Sequence, residues 1–142
     1  MSTQANRTIV HRVLEEFWQS YGGNVAVIDE LFATDYVNHD LSKPPVRGIE
    51  EFKKWAIAVR NSWLTGFPDY RITIEDLVAE GDKVAKRWTF RGTQTGEFMG
   101  IPQTGKQVKM TAVTIYCFAG GKVQEIYWNY DALGLMQQLG MK

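Results

Sequence analysis

Apolar residues recur along this chain first at intervals of three and four, then at intervals of two, and the change falls at Gly66-Phe67-Pro68. Ile9, Val10, Val13, Leu14, Phe17, Trp18 and Tyr21 share one side of a helix predicted over about Thr3 to Tyr21, with Arg12, Glu15, Glu16 and Gln19 opposite. Gly22-Gly23 stops it. Val25 to Phe32 reads as a shorter helix with Asn24 as its N-cap, ending before Tyr36-Val37-Asn38-His39-Asp40, and Ser42-Lys43-Pro44-Pro45 reads as loop. A third helix from Ile49 to about Leu64 carries a buried stripe of Phe52, Trp55, Ala56, Val59 and Trp63, and Gly66 and Pro68 close it.

The second half alternates. Tyr70, Ile72, Ile74, Asp76 and Val78 fall on one side of a strand and Arg71, Thr73, Glu75 and Leu77 on the other; Glu80-Gly81-Asp82 then turns the chain into a partner strand over Val84 to Arg91. Gly92 to Gly105 is a polar, glycine-rich loop around an apolar knot, Phe98-Met99-Gly100-Ile101-Pro102, which docks either as a working part of a site or as a cover of the core. A strand over Gln107 to Phe118 turns through Ala119-Gly120-Gly121 into a last strand that begins at Val123. At Asp131 the spacing becomes helical again, with Leu135, Met136 and Leu139. Three helices, about four antiparallel strands and a short C-terminal helix make an α+β fold, expected as one domain over residues 1–142.

Composition narrows the partners. The chain is 44% apolar and 13% aromatic, enough for a core and for a lined cavity besides. Sixteen basic residues balance sixteen acidic ones and no basic run exceeds Lys53-Lys54, so no electrostatic footprint for nucleic acid or anionic lipid is present. An uncharged small molecule suits this surface better. Cys117, the only cysteine, excludes an intramolecular disulfide and a thiolate cluster and fits a reducing compartment. Met1 to Arg7 lacks the apolar core of a signal peptide and no stretch approaches membrane-spanning length, so the expected location is cytoplasmic. No phosphate-binding glycine loop, Rossmann signature or Ser/His/Asp arrangement is found, and His11 and His39 are too isolated for a metal site; no metal or cofactor is expected. His11 reads as a surface partner of Glu15, and Asp40 and Asp76 as turn caps or solvated edges.

The candidate chemistry gathers at the last strand, whose alternation puts Glu125, Tyr127, Asn129 and Asp131 on one side and Gln124, Ile126, Trp128 and Tyr130 on the other. Asp131 has three readings. Buried on an aromatic surface it would be a proton carrier with a raised pKa; before a helix it is a preferred N-cap; and a three-residue turn at Ala119 would set Lys109 opposite it as an ion pair, with Thr111 opposite Asn129. His39 is a candidate to orient Asp131 or to bind a substrate oxygen, or simply a loop histidine.

Several segments together resemble the SnoaL-like polyketide (ester) cyclases of the nuclear transport factor 2-like superfamily: Tyr36 to Asp40, Glu75 to Val84, Arg87 to Thr93, Thr95 to Lys106, and Gly121 through Leu135. The resemblance spans nearly the whole chain and implies a conical α+β barrel, a curved antiparallel sheet wrapped over three N-terminal helices, with a pocket in the cone and dimerisation through the sheet. It implies a cofactor-independent enzyme closing an aromatic or polycyclic carbonyl compound by intramolecular aldol chemistry; a non-catalytic small-molecule-binding protein, an isomerase or a dehydratase are the alternatives that the superfamily offers. Asp131 matches the motif of the catalytic carboxylate, and Cys117 stands where an assisting histidine is expected. Asn129, Tyr127 and Thr111 are the candidates to hydrogen-bond an enolate or alkoxide oxygen. Trp18, Tyr36, Trp63, Phe67, Trp88 and Met99 are the candidates to stack on a flat ligand, with core packing the competing explanation for each.

Overall fold

A computed structural model describes residues 2–19, 23–40 and 44–140; the expectations for Tyr21, Gly22, Ser42 and Lys43 fall outside them. Ser2 accepts the Ala5 amide at 3.0 Å and starts α1 (Thr3–Val13), which continues into a single π-helical turn over Leu14–Trp18. The carbonyls at that helix end find side-chain donors: Arg60 Nε donates to Phe17 O at 3.0 Å, and the Tyr70 hydroxyl donates to Trp18 O. The turn is thereby tied to two later segments, and Trp18 is held at a fixed depth.

Asn24 Oδ1 accepts the Ala26 amide at 3.2 Å at the head of α2 (Ala26–Leu31). Two strands that the spacing does not predict, β1 (Phe32–Asp40) and β2 (Val46–Arg47), precede and follow the loop expected over 42–45. The reason is physical: β1 alternates, but two of its inward positions are Asn38 and Asp40, so the apolar period that would announce a strand is missing. Helix α3 (Ile49–Gly66) follows, buried along Phe52, Ala56 and Trp63 as the spacing predicts.

Strands β3 (Arg71–Glu80), β4 (Lys83–Thr93), β5 (Gln107–Ala119) and β6 (Lys122–Tyr130) precede α4 (Ala132–Gln138). The sheet is curved and unclosed, in the order β2-β1-β6-β5-β4-β3, with β1 and β6 parallel and every other pair antiparallel. Bulges adjust the faces. An extra residue at Glu75 turns Asp76 and Val78 outward and Leu77 and Ala79 inward, opposite to the simple alternation. In the β5–β6 hairpin the turn is Gly120-Gly121 alone, both at positive φ, and a second bulge at Gln124 shifts the register. Val113 therefore faces Asn129, and Asp131 N donates to Thr111 O at 3.0 Å; Lys109 is not opposite Asp131, and among the described residues the two form no ion pair.

The helices cover the concave face, where inward residues such as Val84, Phe90, Met110 and Tyr116 meet Phe17, Phe32 and Phe67 in one core. The loop after β4 hangs from the end of α3: Thr95 N and Gly96 N both donate to Gly66 O, at 3.1 and 3.3 Å, and Phe98 packs on Phe67 with ring centroids 5.0 Å apart. No described helix is long and apolar enough to cross a membrane.

Candidate functional site

Two spaces open between the helices and the concave face. The inner one, about 40 Å³, lies among Trp18, Trp88, Asn38, Lys86, Thr114 and Tyr116. The outer one is a groove of about 360 Å³ bounded by α3, the loop tip and α4, with Asp40, Val59, Ser62, Met99, Tyr130 and Met136 among its walls. Trp55, Trp63 and Trp128 line both, and they are packed on one another: Trp55 meets Trp128 edge to face at 5.3 Å, and Trp63 meets Trp128 at 6.4 Å.

Strand periodicity positions the polar groups. On β1, Asn38 and Asp40 point into the cone and His39 points out; on β4 and β5 the inward positions include Lys86, Trp88, Thr114 and Tyr116. Lys86 Nζ donates to the Tyr116 hydroxyl at 3.1 Å, Trp88 Nε1 donates to Thr114 Oγ1 at 2.9 Å, and the Tyr36 hydroxyl donates to Asn38 Oδ1 at 2.8 Å. Burial holds the Tyr36 phenol well above the usual tyrosine range, so it keeps its proton. Asp40, only 6% exposed, is the carboxylate among the groove-lining residues.

The expected site residues divide between the two faces of the sheet. Trp18, Trp63 and Trp88 line the inner space, and Met99 the groove; Tyr36 and Phe67 are fully buried in the core beside them. Thr111, Tyr127 and Asn129 lie on the outer, exposed face. Asp131 is exposed as well, and its Oδ1 accepts the Gly134 amide at 2.9 Å as the N-cap of α4. His39 is also outside: its ring stacks on Tyr127 at 4.4 Å and Nε2 meets Glu125 Oε2 at 2.9 Å. Cys117 is a free, half-buried thiol near the β5–β6 turn, with Lys83 Nζ 3.7 Å from its sulfur. Other expected pairings differ too. Arg12, rather than His11, makes the helical ion pair, with Glu16 at 2.6 Å, and Asp76 is bonded to Arg87 at 2.6 Å. Asp40 is buried rather than solvated. Lys86 carried a legible signal, since Val84, Lys86, Trp88 and Phe90 share one strand face, and a lysine in that series must be buried or break the strand. No three His, Cys, Asp or Glu side chains converge as a metal site among the described residues.

Helices laid over the concave face of a curved six-stranded sheet, with an apolar space between, define the nuclear transport factor 2-like or ketosteroid isomerase-like class of fold. A protein of that fold from Catenulispora acidiphila superimposes with a TM-score of 0.71 at 18% identity, covering 94% of this chain and 93% of its own. Within the class the chain belongs to the SnoaL-like polyketide cyclase family, whose model matches residues 8–139. A proposed SnoaL-like polyketide cyclase from Jannaschia sp. CCS1 is 29% identical, with a TM-score of 0.83 over 99% of this chain and 94% of that one. A proposed polyketide cyclase from Acidithiobacillus ferrooxidans is 31% identical, with a TM-score of 0.81 over 98% and 96%. No functionally curated protein matches the sequence. The family and its solved members support a cyclase-type role in general.

Proposed function

We propose that this protein is a cofactor-independent acid/base enzyme that holds an aromatic or polycyclic carbonyl compound in the groove and closes it by intramolecular aldol chemistry. The observation that carries the reading is Asp40, a carboxylate buried at the end of β1 in a groove walled by Trp55, Trp63 and Trp128. In this reaction a proton leaves a carbon flanked by carbonyls, the enolate carbon attacks a ketone of the same molecule, and a proton returns to the new alkoxide. One carboxylate can serve as base and then as acid, provided the ligand is held folded against it. The tryptophans supply that holding surface, and Ser62 and Tyr130 offer hydroxyls in the same groove. This assigns the proton transfer to Asp40 and leaves Asp131 as the cap of α4.

The assignment is tested by exchange of the activated protons of 1-phenylbutane-1,3-dione with D2O, followed by NMR. Asp40→Asn is expected to lower the protein-catalysed rate at least about 100-fold, while Asp131→Asn leaves it unchanged. The reverse result returns the role to Asp131. Catalysis by neither the parent protein nor any variant, with the dione still bound, makes the protein a carrier rather than an enzyme.

Two further points belong to this reading. The outer sheet face shows Val113, Ile115 and Tyr127 exposed side by side on β5 and β6, which supports a homodimer formed through the sheet. The single unpaired thiol of Cys117 supports action in the reducing cytoplasm.

A further inference from the structure

Two side chains with hydrogen-bond donors still to place line the inner cavity. Asn38 is 2% exposed, and its Nδ2 has no partner, because Oδ1 is the atom that receives the Tyr36 hydroxyl. Since Oδ1 takes the Tyr36 hydroxyl, the amide nitrogen is the atom left for another partner. Lys86 is 4% exposed, donates once to Tyr116, and lies 5.4 Å from the ring centroid of Trp88 and 5.3 Å from that of Tyr116. An ammonium has three hydrogens to place, and no described carboxylate pairs with this one. Tyr116, having accepted from Lys86, retains its own O–H, and Thr114, having accepted from Trp88, retains its own. All four side chains line the same cavity. Burying an amide nitrogen without an acceptor and a cation with a single neutral one is costly, and rings satisfy a cation only in part. What the cluster lacks is an acceptor that carries negative charge.

We propose that the inner cavity is an anion subsite that takes the carboxylate of an aromatic ligand whose ring system lies in the groove. A space of about 40 Å³ admits a carboxylate and no ring, and Trp55, Trp63 and Trp128, which line both spaces, make the groove the adjoining place for the rings. The aromatic lining favours an organic acid over a strongly hydrated inorganic anion. The ligand class thus narrows from carbonyl compounds at large to aromatic acids, an inference that rests on the groove reading for the ring.

The test compares 2-naphthoate with its neutral isostere 2-naphthamide by calorimetry and quenching of tryptophan fluorescence. Naphthoate is expected to bind at least about tenfold more tightly, since a charge-assisted bond to a buried donor is at stake. Lys86→Met should remove that preference and leave naphthamide unchanged. Asn38→Asp, which sets an internal carboxylate beside the ammonium, should weaken naphthoate by about tenfold or more, and it decides the matter if Lys86→Met does not fold. Equal affinity for acid and amide, or a preference that survives these substitutions, overturns the subsite and leaves the groove standing. Failure of both compounds to bind overturns the groove as well.

Discussion

Asp69 is an exposed carboxylate with fixed work to do: Oδ1 accepts the Thr93 amide at 2.7 Å and Oδ2 the Thr93 hydroxyl at 2.8 Å, joining the segment after α3 to the end of β4. Those bonds, the backbone one foremost, hold its pKa below the usual carboxylate range. A carboxyl whose folded pKa is depressed stabilises the protein above its unfolded value of about 3.9, and the contribution fades as pH falls through the lower folded value. Asp69→Asn should therefore cost about 1 kcal/mol in urea unfolding at pH 7, and the gap from the parent should close as pH falls from 5 to 2. Asp131 is a cap of the ordinary kind. Asp131→Ala should cost about 1 kcal/mol and Asp131→Asn almost nothing in the same measurement. Lys86 behaves oppositely to both, because an unpaired buried charge opposes folding. Lys86→Met, which keeps the stem and removes the ammonium, should raise stability by about 1 kcal/mol or leave it level, read as the urea midpoint.

At the scale of elements, the loop between β4 and β5 is built as a fixture. Gln94, fully buried, receives the Thr104 hydroxyl at 2.7 Å and donates to Ile101 O at 3.0 Å, so the loop carries its own internal brace. At its tip Phe98 and Ile101 exchange two backbone bonds across Met99-Gly100, both at positive φ, and Met99 is pushed up to the groove. Gly96 lies so close to α3 that a Cβ there would overlap Thr65 O. Gly96→Ala should detach the loop, lowering stability by about 1–3 kcal/mol and weakening aromatic ligands of the groove, checked by thermal unfolding and by 2-naphthamide titration. Helix α3 was readable because its stripe and its Gly66/Pro68 stop are local signals. Strand β1 was not, because two of its inward positions are the polar Asn38 and Asp40. The bulges at Glu75 and Gln124 have no sequence signature of their own; they emerge from pairing with a neighbour strand. The same limit governs the site. Alternation told that Tyr127, Asn129 and Asp131 share a side, while which side meets the helices is decided by packing, so the aromatic walls Trp18, Trp63 and Trp88 were legible and, of the polar lining, only Lys86 left a signal.

At the scale of the whole molecule, the convex face of the sheet carries an exposed apolar patch that a partner would cover. Ile115 is 38% exposed and Val113 42%, next to Tyr127 across the β5–β6 pair. Ile115→Lys is expected to convert the proposed dimer to monomer in sedimentation velocity without altering the circular dichroism spectrum, since the position is exposed in the single chain. An unchanged dimer would move the interface elsewhere. Within the chain, β6 lies between β1 and β5, and it is the last strand in the sequence: Phe32 aligns with Val123 and Asp40 with Trp128. On a ribosome, β1 therefore has only the two-residue β2 beside it until β6 has been made, with its inward polar groups and the aromatic face of α3 open to water in the meantime. Such long-range parallel pairing slows folding and leaves an unpaired edge available to other chains. Trp128 walls both spaces, so the nascent protein acquires its sheet centre and its candidate site in the same late event, and a ligand of the proposed kind present at that moment would act as a template for closing the fold.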